Sequence, residues 1–271
     1  MNLILSELAR GILPYSAKEK VVGVLFGYFD ESGTHGGADK QCIAGMIGRA
    51  DDWDDVSSKW DTILGDRAFH YTHMNRIYGN GQFKGVPQAE RTALIEACAD
   101  AVGSSDLLSV CGGFVGDWKQ TIAGGAGWNL RFPSCYSYCL EMCLMAMNKL
   151  SAEKWQSEPI ALVFSQQDQY RDRAFEVFNI IKNAGEYPNL ATFTYAPMKQ
   201  LRPLQVADMF AYETFKVLGE TDPAEFRKWP LTRRVIQQGR SSFGGFGSPE
   251  LLTGLLREAE IKGRQYYKNP A

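Results

Sequence analysis

The sequence VVGVLFGYFDESGT, residues 21–34, joins a run of nine uncharged, mostly apolar residues to Asp30, Glu31 and a glycine turn. Such a run, rich in β-branched and aromatic residues, predicts a strand buried on both faces. Carboxylates at the end of a buried strand are partly desolvated, which raises their energy unless a cation compensates the charge. Mg²⁺ and Mn²⁺ suit this place, although Asp30 capping the following turn is an alternative.

The composition is that of an ordinary globular protein. The chain has 271 residues, 45% hydrophobic and 22% charged, with a net charge of −2. This balance excludes a strongly basic nucleic-acid-coating protein but leaves room for a local phosphate-binding patch. Six cysteines without a C-x-x-C pair indicate reduced thiols, and no apolar run reaches the roughly 20 residues of a membrane span. We therefore expect a cytoplasmic protein without a membrane partner.

Strands and helices alternate along the rest of the chain, which predicts an α/β protein. The strands after the first are expected at 41–48, 107–115, 159–164 and 191–195, and the helices at 51–64, 88–103, 134–150, 170–184 and 202–218.

Two later acids stand in positions comparable to that of Asp30. Asp168 follows the fourth predicted strand, and Asp208 lies in the last long helix on a face shared with Gln205. Because the surroundings of that face are otherwise poor in charge, Asp208 is expected to have a cation or a strong hydrogen-bond donor beside it.

The histidines and cysteines predict no metal cage of their own. His70 and His73 form H-x-x-H, and on a strand their side chains would point to opposite faces, which argues against a shared zinc ion. His70 alone remains a candidate for contacting a phosphate or a water. Cys135, Cys139 and Cys143 follow one another at four-residue steps on an almost wholly apolar helix, a pattern typical of core packing rather than of an iron–sulfur cluster.

Basic residues accumulate towards the C-terminal end. An aromatic, Trp229, and a glycine-rich stretch stand among them, and together these features suit a surface that follows phosphates. A solvated helix with scattered arginines is the alternative reading. The candidate nucleic-acid-binding residues are Arg202, Arg227, Lys228, Arg233 and Arg234.

Three stretches give the chain a resemblance to a known family: Tyr28–Gly33, the Phe69–His70 step, and Leu204–Tyr212. They look like the uncharacterised bacterial family catalogued as domain of unknown function 3800, whose members are regarded as ribonuclease-H-like and often accompany mobile elements or phage-defence loci. The resemblance implies a mixed five-stranded sheet with flanking helices and a helical insertion at about 51–105. The expected organisation is a lead-in at 1–20, a domain at 21–220, and a basic, glycine-rich extension at 221–271 packed on it.

The resemblance also implies a nuclease centre holding Mg²⁺ or Mn²⁺. Asp30, Asp208 and Asp168 would be metal ligands, Glu31 a nearby acid, and His70 a group handling phosphate or the attacking water. The chain departs from the pattern where such nucleases commonly carry an acid in or at the end of the fourth strand, because Ser165 follows Phe164 here. Glu141 is the weaker substitute for Asp168.

Two other functions stay open. A ribonuclease-H-like scaffold that binds nucleic acid or protein without turnover would carry the same features. The sequence DESGT at 30–34 also resembles the phosphate loop of actin-like and sugar-kinase ATPases, which need a second, similar lobe.

Overall fold

The first strand lies near the middle of a six-stranded mixed sheet in the computed structural model. The structure describes residues 23–33, 39–123, 132, 134–166, 171–237 and 243–247. In chain order the strands are β1 (Leu25–Ser32), β2 (Lys40–Arg49), β3 (Leu108–Val115), β4 (Ile160–Ser165), β5 (Leu190–Ala196) and β6 (Phe243–Gly247).

The order across the sheet is β5-β4-β1-β2-β3-β6. β1, β2 and β3 are joined as antiparallel neighbours, whereas β4 runs parallel to β1, β5 parallel to β4, and β6 parallel to β3. Parallel neighbours require crossover connections, and the helices at Cys135–Lys154, before β4, and at Arg171–Ala184, after it, supply them.

Helices cover both faces of this sheet. They are α1 (Ala50–Leu64), α2 (Tyr71–Met74), α3 (Gln88–Gly103), α4 (Trp118–Ala123), α5 (Cys135–Lys154), α6 (Arg171–Ala184), α7 (Arg202–Val217), α8 (Pro223–Arg227) and α9 (Pro230–Gln237). α5 packs on β2 and β3 from one side, and α7 packs on β1 and β2 from the other. Within the described part of the chain, no helix is both long enough and apolar enough to cross a membrane.

The double covering explains why β1 is apolar on both faces. Phe29 belongs to the core beneath α5, stacking on Phe164 with ring centroids 5.2 Å apart. Tyr28 belongs to the core on the α7 side, where it meets Trp53 of α1 edge to face at 4.8 Å. The strand does not end at the carboxylates as the sequence suggested; it continues through Asp30, which pairs with Ala44 of β2. Both acids therefore have strand geometry.

The predicted α/β class and mixed sheet are confirmed, and β3-β2-β1-β4-β5 contains the five expected strands in a layout compatible with a ribonuclease-H-like arrangement. The insertion predicted after the second strand consists of α1, α2 and α3. The five-strand count was wrong, because β6 adds a sixth strand to β3. Its sequence, Phe-Gly-Gly-Phe-Gly, has neither β-branched residues nor alternation that would mark a strand. The predicted lead-in, 1–20, lies outside the described residues, and the division at 220 stays a prediction.

The cysteines of α5 pack over β2. The thiol of Cys139 donates to the Gln41 carbonyl at 3.5 Å, and that of Cys143 donates to the Ile43 carbonyl at 3.1 Å. All six cysteines are unpaired in the structure.

A buried carboxylate fixes α9 to α7. Glu213 has 0% of its surface exposed and accepts hydrogen bonds from the backbone N–H groups of Leu231 (3.3 Å) and Thr232 (2.7 Å). These are donors of the first turn of α9, where a negative charge also suits the helix dipole. The side chain of Tyr71 bonds the same carboxylate, and burial raises the pKa of Glu213 to about 7.

The pKa of Glu213 predicts how stability depends on pH. A glutamate whose pKa is higher in the folded than in the unfolded state binds a proton on folding, so its contribution is present at low pH and lost as the pH rises from about 4.5 to 7. Replacing Glu213→Gln should make the fall of the unfolding free energy shallower by up to about 1.4 kcal/mol per pH unit in that window. Urea unfolding in chelator across the window measures the slope. An unchanged slope would contradict the assignment.

Candidate active site

The structure brings Asp30 and Asp208 together on the α7 face of the sheet. Asp30 lies near the C-terminal end of β1 and Asp208 in the middle of α7; their exposed fractions are 6% and 8%. The two carboxyl groups interact directly, and the charge of Asp208 raises the pKa of Asp30. Because adjacent buried carboxylates repel each other, we expect the metal-free pair to hold one proton between them near neutral pH.

The pKa values of both acids are raised. Burial raises the pKa of Asp208 to about 7, and burial together with the neighbouring charge of Asp208 raises the pKa of Asp30 well above its ordinary value. Among the described residues, neither carboxylate forms an ion pair with a lysine or arginine. The site therefore holds two buried acids that no lysine or arginine of the described chain compensates.

Ser165 is the third group of this cluster. The pairing of Phe29 with Phe164 in parallel strands places the next residues, Asp30 and Ser165, side by side, and the Ser165 side chain hydrogen-bonds to Asp30. The serine occupies the strand-end position at which the sequence lacked the expected acid. Sequence reasoning missed it because the search was for carboxylates; the signal was the parallel register of two apolar strands.

Asp208 also holds the segment that precedes α2. The backbone N–H of Tyr71 donates to Asp208 Oδ2 at 2.7 Å, which is the strong donor that the sequence predicted for this acid. One turn earlier in α7, Gln205 Oε1 accepts from the backbone N–H of Phe69 at 2.9 Å. Because His70 between them is extended, the N–H groups of residues 69 and 71 point to the same side. Gln205 and Asp208 thus bind one extended segment through two alternate peptide groups.

His70 is brought to the rim of the site by this segment. Its Nδ1 lies 3.7 Å from Asp208 Oδ2 and 3.0 Å from Thr72 Oγ1. Burial lowers the pKa of His70, and the positive charges of Lys199 and Arg76 lower it further. The imidazole is therefore neutral at pH 7.

The prediction that His70 and His73 lie on a strand and diverge was wrong. Residues 71–74 form the short helix α2, and the two imidazole rings stack with centroids 4.2 Å apart. A helical turn places residues three apart on one side, which is the physical reason for the difference.

Glu31 points to the opposite face, as strand alternation predicted. The charge of Glu31 raises the pKa values of Tyr136 of α5 and Tyr195 of β5. The hydroxyl groups of these two tyrosines are hydrogen-bonded to each other. Glu31 Oε2 is buried without a hydrogen-bond partner, and burial followed by the charge of Asp30 raises the pKa of Glu31. Glu31 therefore lies on the other face of the sheet from the Asp30–Asp208 pair, although the charge of Asp30 still raises its pKa.

The other acids do not join the pair within the described structure. Asp168 lies outside the described residues, and Glu141 belongs to α5, which covers the opposite face of the sheet. No group of three or more His, Cys, Asp or Glu side chains is placed to hold a metal ion in the ranges that the structure describes.

The residues present nevertheless fit a hard divalent cation. Asp30 and Asp208 offer carboxylate oxygens from two elements, and Ser165 adds a hydroxyl beside Asp30. Mg²⁺ is usually bound through only one or two carboxylates, with waters and substrate phosphates completing its coordination. Mn²⁺ accepts the same oxygen ligands.

The predicted nucleic-acid-binding arginines are largely engaged within the chain. Arg202, with 14% of its side chain exposed, donates to Asp61 Oδ1 (2.7 Å), the Arg67 carbonyl (2.7 Å) and Gln205 Oε1 (2.9 Å). A phosphate would have to displace these contacts, so Arg202 supports the wall of the site rather than facing outward.

The C-terminal basic residues show the same tendency. Glu96 of α3 pairs with both Arg233 and Arg234 at 2.9 Å, and Arg234 also pairs with Asp100. Lys228 pairs with Glu225, while Arg227 is exposed. The structure does not bring any of these four to Asp30 and Asp208, and their binding of nucleic acid stays a prediction.

Comparison of the sequence with protein-family models found no match, and comparisons with curated proteins and with solved structures found none either.

The crowded acids predict that the metal-free site destabilises the protein. At pH 7.5 in chelator, Asp208→Asn should raise the melting temperature by roughly 2 to 10 °C, because an amide removes the like charge beside Asp30. Since the pKa of Asp208 is raised to about 7, this gain should be full above pH 7 and vanish towards pH 4. Calorimetric scans measure it, with the exposed Asp55→Asn as control.

Adding metal should reverse the order of the melting temperatures of the unaltered protein and the Asp208→Asn variant. Mn²⁺ is expected to raise the melting temperature of the unaltered protein and to leave the Asp208→Asn variant nearly unchanged, since a ligand that binds only the folded state stabilises it. An equal response of the two proteins to Mn²⁺ would rule out a metal at this pair.

Proposed function

We propose that this protein is a metal-dependent nuclease of the ribonuclease-H-like type, hydrolysing phosphodiester bonds of RNA or DNA with Mg²⁺ or Mn²⁺. The observation that carries the proposal is the buried, proton-sharing pair of Asp30 and Asp208, which has Ser165 beside it and no lysine or arginine paired to it in the described chain. A site that keeps two acids buried and uncompensated is suited to receive a cation.

Asp30 and Asp208 would hold the ion, and Asp168 stays a predicted ligand outside the described residues. When bound, a divalent ion supplies activation of water and stabilisation of the negative charge that develops on the phosphate. Loss of the proton shared by Asp30 and Asp208 would accompany binding, because a proton and a cation compete for the same oxygens.

The remaining groups would orient and exchange protons. The Tyr71 N–H fixes one oxygen of Asp208, which leaves the other free to bind. Ser165 fixes the Asp30 carboxyl from the neighbouring strand. His70, neutral at pH 7 and 3.7 Å from Asp208, can accept a proton at the rim of the site, where the attacking water or the phosphate would lie.

A second candidate is a ribonuclease-H-like module that binds nucleic acid or protein without turnover. Ser165 favours it, because this neutral residue stands where the fold commonly carries an acid, and two carboxylates converge among the residues that the structure describes. The ATPase alternative is not favoured, since the described residues form one sheet rather than two similar lobes. Members of the family that the chain resembles often accompany mobile elements or phage-defence loci, which suggests a role in phage defence or in mobile-element biology.

Cleavage of labelled oligonucleotides tests the proposal. Single-stranded, duplex and hybrid RNA and DNA should be incubated with the protein in Mg²⁺, in Mn²⁺ and in chelator. We expect cleavage only with metal, and a loss of roughly 100-fold or more in Asp30→Asn and in Asp208→Asn, since each removes charge from the reacting centre.

Asp55→Asn is the matched control, since it makes the same change on the exposed surface of α1. Cleavage that survives chelator, or that survives both active-site changes, would overturn the nuclease assignment. Binding of Mn²⁺ without any cleavage of the full substrate set would establish the second candidate instead.

A further inference from the structure

A fully buried arginine holds the loop that follows α2. Arg91 of α3 has 1% of its surface exposed, and no carboxylate of the described chain pairs with it. Its Nη1 donates to the Arg76 carbonyl, its Nη2 donates to the Ile77 carbonyl at 3.0 Å, and its Nε has no partner. Burying a guanidinium costs free energy unless its N–H groups are hydrogen-bonded. Its bonds to the two loop carbonyls therefore favour the loop conformation in which these carbonyls are held.

The loop backbone is fixed at further points. Gly79 N–H donates to the Arg76 carbonyl at 3.0 Å, and Gly85 N–H donates to the Tyr78 carbonyl at 3.1 Å. Gly79 has φ +67°, and a Cβ there would lie 2.0 Å from the Phe83 carbonyl oxygen, so only glycine closes this turn. These hydrogen bonds and the glycine turn therefore favour one conformation of the loop.

This fixed backbone displays apolar side chains to solvent. Ile77 is 79% exposed and Tyr78 is 83% exposed, the two most exposed large hydrophobic residues among those described. An ordered loop that presents a bare aromatic ring is typical of a binding surface, because the ring is positioned before the ligand arrives.

Two positively charged side chains lie near the histidines at the rim of the candidate active site. Arg76 and Lys199 are exposed and form no ion pair within the described chain. Their positive charges lower the pKa of both His70 and His73, whose imidazole rings are stacked. Tyr78 is two residues from Arg76, at most about 7 Å between Cα atoms. The same loop also lies against the histidines, since a Cβ on Gly81 would be 3.0 Å from His73 Nδ1.

We propose that residues 76–78, the Arg76–Tyr78 platform, bind single-stranded nucleic acid: Tyr78 stacks on a base, and Arg76 with Lys199 binds the adjoining phosphates. An aromatic face next to cations without partners is the arrangement by which proteins bind single strands irrespective of sequence. The inference rests on the proposed nuclease function, because it supplies the substrate strand to His70 and Asp208. It places the substrate on the loop after α2 rather than on the C-terminal arginines.

Binding in chelator tests the platform apart from catalysis. The probe is a fluorescein-labelled single strand of about 12 nucleotides, a length within the range of known single-strand sites, followed by anisotropy. We expect Tyr78→Ala to weaken affinity roughly 5- to 100-fold and Tyr78→Phe to retain it, since stacking needs the ring and not the hydroxyl. Arg76→Ala and Lys199→Ala should each lower the slope of log affinity against log salt by about 0.7.

Two control variants lie away from the platform. Ile180→Ala on α6 removes another exposed apolar side chain, and Lys154→Ala at the end of α5 removes an exposed charge. Both should bind the probe as the unaltered protein does. Circular dichroism of each variant checks that the fold is retained, which is expected because the altered side chains are exposed.

The outcomes separate the platform from the nuclease. Unchanged affinity of Tyr78→Ala, or no binding of the probe by the unaltered protein, overturns the platform, and metal-dependent cleavage that requires Asp30 leaves the nuclease standing. Conversely, weakened binding by Tyr78→Ala and Arg76→Ala, with no cleavage in any metal, supports the platform and overturns catalysis.

Discussion

Two carboxyl groups buried side by side are the constraint on which the rest of the site depends. Asp30 is fixed by the pairing of β1 with its neighbours, and Asp208 by a buried helix, so neither can move away from the other without disrupting the sheet or α7. Two kinds of interaction offset the free-energy cost of burying both carboxyl groups. One is hydrogen bonding from the Tyr71 N–H and the Ser165 side chain, and the other is the proton that the two acids share. Donors of this kind reduce the charge without removing it, which is the condition for exchangeable cation binding rather than a permanent ion pair.

Hydrogen bonds to α7 fix the position of the segment that precedes α2. Gln205 and Asp208 bind alternate peptide groups of residues 69–71, and the Tyr71 side chain continues to Glu213 and from there to the start of α9. α7 thus contacts the active-site rim with one turn and the C-terminal helices with the next. Three of its buried polar side chains hold two other parts of the chain: Gln205 and Asp208 bind the segment before α2, and Glu213 binds the start of α9.

The sequence was sufficient for features that depend on local pattern and insufficient for those that depend on register or on distant charges. Apolar runs in the sequence identified strands β1 to β5. The apolar surroundings of Asp30 and Asp208 identified these two acids as candidate site residues. Ser165 became visible only through the pairing of β1 with β4, because a serine has no distinctive pattern of its own. The C-terminal arginines looked available because Glu96 and Asp100, more than 100 residues earlier, could not be placed against them. His70 and His73 were misassigned because a short helical turn and a strand are hard to tell apart over four residues.

The sixth strand sets an order of events during synthesis. β6 covers the free edge of β3, but about 130 residues separate the two along the chain. At a ribosomal rate of roughly 5–20 residues per second, that edge stays open for approximately 6 to 26 s after β3 has emerged. An open edge of an apolar strand invites pairing with other chains, so the nascent protein passes through an interval in which association with a chaperone or a neighbouring nascent chain competes with completion of its own sheet.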